Sequence, residues 1–235
     1  CTHKTPYTNR SQLILMSSQE ELALGEKSYK ESLSELKVIT GTKDALKVQT
    51  IGQKIAVAAN QPNYKWEFNL VEDNQANAFC LPGGKVVVYT GILKYAKNDD
   101  QLATVISHEV AHALARHGAE RVTQGMIQQG VGLIGSVAVA ATAPQYQNAF
   151  NQAYGLGSNL GVMLPYGRMQ ESEADEIGIY LMHKAGYNVN EATKFWENMS
   201  EGKSGGNDFF STHPSSQNRT KDIQTVINNI GNEAK

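Results

Sequence analysis

His108-Glu109-Val110-Ala111-His112 decides how the rest of the chain is read. A spacing of four residues is close to one helical turn, so both imidazoles leave the same face of a helix. Glu109 stands beside that face, within reach of a water held there and clear of the ligand positions. Two such histidines suit zinc, which draws the pKa of a bound water towards neutrality, and the glutamate then serves as general base. The flanking residues supply the helix. Asp99-Asp100-Gln101-Leu102 opens it with acidic groups, and His117-Gly118 closes it with a basic residue and a glycine. Between them Leu102, Val105, Ile106, Val110, Ala113 and Leu114 recur at helical spacing. On this pattern His117 is a helix C-terminal residue matched to the dipole, pointing away from the His108/His112 face.

A catalytic zinc takes three protein ligands and keeps one position open. The HExxHxxGxxH pattern does not supply the third ligand, because Ala115 and Gly118 stand where it requires glycine and histidine. A second helical pattern, Arg168-Met169-Gln170-Glu171-Ser172-Glu173-Ala174-Asp175-Glu176-Ile177-Gly178, carries Glu171 and Asp175 on one face. One of that pair can bind the metal while the other holds the free N–H of a ligand histidine. Spacing alone leaves the choice among Glu171 and its neighbours open, and Glu173 and Glu176 read as a solvated acidic face.

HEVAH followed by RxxExEAD resembles the HtpX-like zinc metallopeptidases. Asn77-Ala78-Phe79-Cys80-Leu81-Pro82-Gly83-Gly84 is similar to that family's NAFALPGG segment, with cysteine where alanine is usual. Thr212-His213-Pro214 with Arg219 is similar to its THPxxxxR element, and the resemblance covers residues 18–230 in chain order. It implies an α+β, mostly helical, zincin-like metalloprotease domain with a small sheet whose edge strand borders the cleft. It also implies Glu171 as third ligand to one zinc ion per chain, with Asp175 behind a ligand histidine. His213 is then the candidate oxyanion donor, braced by Arg219, or alternatively an occupant of the open zinc position in a resting enzyme. The branch it points to is that of the bacterial periplasmic lipoprotein proteases.

The substrate strand expected is Lys85-Val86-Val87-Val88-Tyr89, read as an edge to which an extended polypeptide adds by main-chain pairing. The expected activity is zinc-dependent cleavage of unfolded or misassembled proteins of the bacterial cell envelope, with the envelope assembly machinery as a partner. The alternative is a periplasmic chaperone or assembly factor with a latent zinc site.

A chain of 235 residues can bury a full core in one domain. A net charge of −2 without clustered basic residues argues against nucleic acid as a partner. Two cysteines cannot make a disulfide framework. Cys1 resembles the lipidated cysteine of bacterial lipoproteins, which implies an outer-membrane anchor in the periplasm; residues 1–17 are then a tether and 18–235 the peptidase domain. The apolar run 131–143 is shorter than the roughly 20 residues a bilayer requires, so a packed helix or lid is expected there. Gly202-Lys203-Ser204-Gly205-Gly206 fits GxSxG, but no strand precedes it.

Overall fold

Ser17 starts the first long helix, α1 (Ser18–Glu35). Its Oγ accepts from the Glu20 amide at 3.1 Å, the N-cap legible in the sequence, and donates to the Glu20 carboxylate at 2.9 Å. Thr42 and Asn98 cap α2 (Lys43–Ala59) and α3 (Asp99–Leu114) in the same manner, accepting from the amides of Ala45 and Gln101 at 3.1 and 2.9 Å. The computed structural model describes residues 2–128, 133–134, 137–138, 143–154, 165–202 and 209–233. The rest of the chain adds α4 (His117–Gln128), α5 (Ala143–Tyr154), α6 (Arg168–Lys184), α7 (Glu191–Glu201), the single turn α8 (Phe209–Thr212) and α9 (Arg219–Glu233). The expected α+β, mostly helical fold is thus borne out.

Strands β3 (Val38–Ile39), β4 (Glu67–Val71), β5 (Ala78–Leu81) and β6 (Lys85–Tyr89) form a sheet in the order β3-β4-β6-β5. β6 runs parallel to β4 and antiparallel to β5. The expectation that Lys85–Tyr89 is an edge strand is therefore corrected: both its edges are paired, and among the described residues the outer strand on that side is β5. The cause is legible in hindsight. Lys85, Val86, Val87 and Val88 are all buried, with Val86 and Val88 in the core with α2 and α3, and Val87 in a second cluster with Tyr29 of α1 and Phe150 of α5. A β-branched run buried on both faces marks a central strand. The β5–β6 turn needs Gly83 and Gly84, each at φ +87°.

Helix α3 lies at the centre, buried without interruption from Gln101 to Leu114 and packed against α2, α6 and the sheet. It ends earlier than expected. Arg116 takes a left-handed φ of 56°, and the chain restarts as α4, whose first residue is His117. Gly118 then admits the Tyr154 hydroxyl of α5, which would stand 1.6 Å from any Cβ there. Ala149, Phe150, Ala153 and Tyr154 of α5 are core residues. The expected packed helix at 131–143 falls largely outside the described residues, among which two short paired strands, β7 (Leu133–Ile134) and β8 (Val137–Ala138), occur. The 203–206 part of the GxSxG-like stretch also lies outside them. No helix of the described residues is long and apolar enough to cross a membrane.

The tether expected at 1–17 takes a different arrangement. Strands β1 (Thr2–Lys4) and β2 (Ser11–Leu13) form a hairpin, and Thr5, Gln12, Ile14 and Met16 are buried against the body. Gln12 donates to the Ala115 carbonyl at 3.0 Å, and Thr123 Oγ1 accepts from the Leu15 amide at 3.0 Å. Polar side chains that looked like linker composition are hydrogen-bonding groups to α3, α4 and α6. Cys1 lies outside the described residues.

One close approach sets the position of α1 over the sheet. A Cβ on Gly25 would stand 2.0 Å from the Pro82 carbonyl oxygen, which belongs to backbone and cannot swing aside. Gly25→Ala is expected to cost about 1–3 kcal/mol through overpacking, read as a lowered midpoint in urea denaturation.

Candidate metal centre

Two helices bring the expected ligands together. His108 and His112 leave one face of α3 with their Nε2 atoms 3.1 Å apart. Glu171, on the facing side of α6, sets its Oε2 at 3.1 Å from His108 Nε2 and 2.8 Å from His112 Nε2. The close approach rests on Gly178: a Cβ there would meet the His108 amide nitrogen at 3.3 Å. His213 joins the group, so that one ligand atom from each of the four residues lies within 4.8 Å of the others. All four are at most 2 % exposed.

Glu109 is fully buried beside this cluster, its Oε1 2.8 Å from His213 Nε2. That contact lacks hydrogen-bond geometry, and neither Glu109 oxygen accepts a hydrogen bond among the described residues. A buried carboxylate in that condition calls for an explanation, and a metal centre with its water is one. Two imidazoles and a carboxylate are also donors suited to zinc. The residues present therefore fit the metal expected from the motif.

The charges agree. Burial would raise Glu171, but His108, with His213 and His112, holds it well below the usual carboxylate range. Burial lowers His108, yet Glu171 and Asp175 outweigh it and push the imidazole up to about 10. Burial drives His112 well below its ordinary value. Among these groups it is the His108 imidazole that its carboxylate neighbours favour in the charged form.

Asp175 and Arg219 both reach the site. Asp175 Oδ1 stands 3.0 Å from His108 Nδ1, the ring atom opposite the one facing Glu171. Arg219, at the start of α9, donates from Nε to Asp175 Oδ2 at 2.8 Å and from an Nη to Glu171 Oε1 at 3.3 Å. Arg219 braces Asp175 and Glu171 directly, a more central place than beneath the His213 loop. The His213 ring is held by Thr212 Oγ1 at 2.9 Å from Nδ1 and by Phe209, stacked at 4.0 Å. Lys85–Tyr89 contributes nothing to this cluster; Lys85 is buried in an ion pair with Glu67 at 2.7 Å.

Several residues of the site had no signal in the sequence. Tyr166 stacks on His112 at 3.8 Å between ring centres, and the Arg121 guanidinium lies 3.9 Å over the Tyr166 ring. His117 is fully buried with its Nδ1 2.8 Å from His112 Nδ1, which corrects its reading as a residue turned away from the site. Glu173, read as solvated, is 5 % exposed and lies 2.7 Å from His117 Nε2. The kink at Arg116 aims His117 back at α3, and no side-chain spacing foretells a left-handed arginine.

Comparison with known proteins places this geometry. Peptidase family M48 matches residues 42–227. The chain is 36 % identical over 225 residues to the mitochondrial metalloendopeptidase OMA1 of Schizosaccharomyces pombe, covering 93 % of this chain and 64 % of that protein. With the Saccharomyces cerevisiae counterpart it shares 33 % over 241 residues, 94 % of this chain and 67 % of that one. The Beta-barrel assembly-enhancing protease of Escherichia coli is 28 % identical over 189 residues, 78 % of this chain and 39 % of that protein. The chain thus spans from about two thirds down to two fifths of the length of these relatives. The bacterial branch expected from the motifs is represented, but the mitochondrial proteins show the higher identities. From residue 42 to residue 227, with its HEVAH helix at the centre, the chain belongs to peptidase family M48, the metallopeptidase class that the motif led one to expect.

Proposed function

We propose that the chain is a zinc-dependent endopeptidase acting on extended or unfolded polypeptide. The observation that carries this reading is Glu109: a fully buried carboxylate, met by His213 Nε2 at 2.8 Å and by no hydrogen bond among the described residues, beside His108, His112 and Glu171. A metal held only for structure needs no such group. One zinc ion bound by those three residues would lower the pKa of water beside it to near neutrality and polarise a scissile carbonyl. Glu109 takes the proton from the attacking water and returns it to the leaving amine. Asp175 fixes the His108 ring, and Arg219 neutralises the charge that Asp175 and Glu171 concentrate there.

The docking edge in this proposal is β5. It is paired on one side only in its sheet, and Glu109 lies close enough to push the Cys80 thiol upward, an effect second to burial. An extended segment adding to that edge brings a main-chain carbonyl to the centre with little demand on side chains. His213 has two positions in this scheme. Its place among the ligand atoms supports a resting form in which it stands where substrate must come. Swung aside with its loop, it becomes the donor to the oxyanion. The finer reading, action on unfolded or misassembled proteins of a bacterial envelope alongside its assembly machinery, draws on the relatives named for β-barrel assembly. The mitochondrial relatives support polypeptide cleavage without that address.

Stripping the protein with a chelator is expected to abolish casein cleavage, and one equivalent of zinc to restore it. Undiminished cleavage by the stripped protein would overturn the proposal. A protein that binds zinc and suppresses client aggregation but never cuts casein is the chaperone of the alternative reading.

A further inference from the structure

The two ligand histidines are backed differently. His108 meets the carboxylate of Asp175 directly, and Asp175 is braced by Arg219. His112 meets a second histidine: its Nδ1 is 2.8 Å from His117 Nδ1, and His117 Nε2 is 2.7 Å from Glu173 Oε1. The proton positions along this row follow from chemistry. Glu173 can only accept, so His117 Nε2 carries the hydrogen and its Nδ1 is left as a lone pair. His112 must then donate from Nδ1, which leaves Nε2, the atom facing Glu171 and His108, free to bind a metal.

What holds Glu173 comes from the other end of the sequence. Arg10, in the loop between β1 and β2, donates from Nε and Nη2 to its two oxygens at 3.1 and 3.0 Å, and Thr5 and Thr8 add hydroxyl donors at 3.2 and 2.7 Å. The same guanidinium forks onto Glu120 of α4 at 2.8 and 2.9 Å. Burial pushes Glu173 up, but the hydrogen bonds from His117, Arg10 and Thr8 prevail and hold it at about 2. Tyr7 of the same loop stacks on Tyr180 of α6 at 5.3 Å, a separate anchor for the loop on the zinc helix.

We infer that the N-terminal hairpin is a working part of the metal centre, in which Arg10 fixes Glu173, Glu173 fixes His117, and His117 sets the tautomer and ring orientation of His112. His117 and Arg10 are positioning residues. The inference rests on the metal-centre reading of the proposed function but concerns residues outside the ligand set. It also makes residues 2–13 functional although the family match begins at residue 42.

The test compares the full chain with His117→Phe, His117→Gln, Arg10→Ala and the double variant His117→Phe/Arg10→Ala. Zinc affinity is measured by competition with a chromophoric chelator, and the ligand field is read from the visible bands of the cobalt-substituted protein. His117→Phe keeps the ring volume without an acceptor and is expected to weaken zinc about 10–100-fold, the usual cost of an outer-shell partner. His117→Gln can accept from His112 through its oxygen and donate to Glu173 through its nitrogen, so it should restore most of the affinity and the cobalt bands. Arg10→Ala should weaken zinc less than His117→Phe does. The double variant should bind no more weakly than His117→Phe alone, because Arg10 acts through His117. Folded His117→Phe with unchanged affinity and cobalt bands overturns the inference, as do additive losses in the double variant. Absence of zinc from the wild-type protein would instead sink the metal-centre reading itself.

Discussion

Glu109→Gln is expected to lower casein turnover by about 10²–10⁴-fold, the range that a positioned general base contributes, while zinc content stays at the wild-type level. The amide keeps the shape of the carboxylate and cannot take a proton from water. Glu109 is not a member of the four-residue ligand group, so the metal has no reason to leave. Its site also tolerates a neutral side chain, since the carboxylate is fully buried and its contact at 2.8 Å is with the His213 ring. Elemental analysis and proteolysis on the same sample check both halves. Equal activity of variant and wild type would remove Glu109 from the mechanism.

The second large effect belongs to Glu171→Ala, which is expected to empty the centre of zinc and abolish activity together. Glu171 supplies the oxygen that lies within 3.1 Å of both His108 and His112, and it is the anion that raises His108 most. Its loss leaves two imidazoles and the Arg219 guanidinium facing a buried space without the carboxylate that balances them. Zinc affinity should fall by more than the roughly 10–100-fold that follows loss of an outer partner. Elemental analysis after dialysis reads the result, and zinc retained at one per chain would mean that Glu171 is not a ligand.

The two helices that carry the proposed ligands are legible because their signals are local. The HEVAH spacing, the Asp99-Asp100 start and the apolar period all lie within α3, and Glu171 and Asp175 share a face wherever that helix packs. What escaped depends on distant partners. Glu173 looks like any surface glutamate until Arg10, 163 residues away, arrives to pair with it. His117 looks like the end of a helix because a single backbone angle at Arg116 redirects it. The central position of β6 follows from its own residues, for a strand reading Val-Val-Val has no polar face to show to solvent, whereas the family resemblance points to an edge beside the cleft. In the N-terminal segment the composition of threonines and an arginine suggests a linker, whereas their meaning lies in the two buried carboxylates they meet.

The order in which these groups occur along the chain has a consequence in time. During synthesis the HEVAH helix leaves the ribosome well before Glu171, and Glu171 before His213 and Arg219. Since domains fold as units, a chain halted anywhere short of Arg219 has the histidines and the general base but lacks the guanidinium that steadies their acidic partners. The proposed metal centre is thus assembled only after the segment carrying His213 and Arg219 has joined the helices made before it.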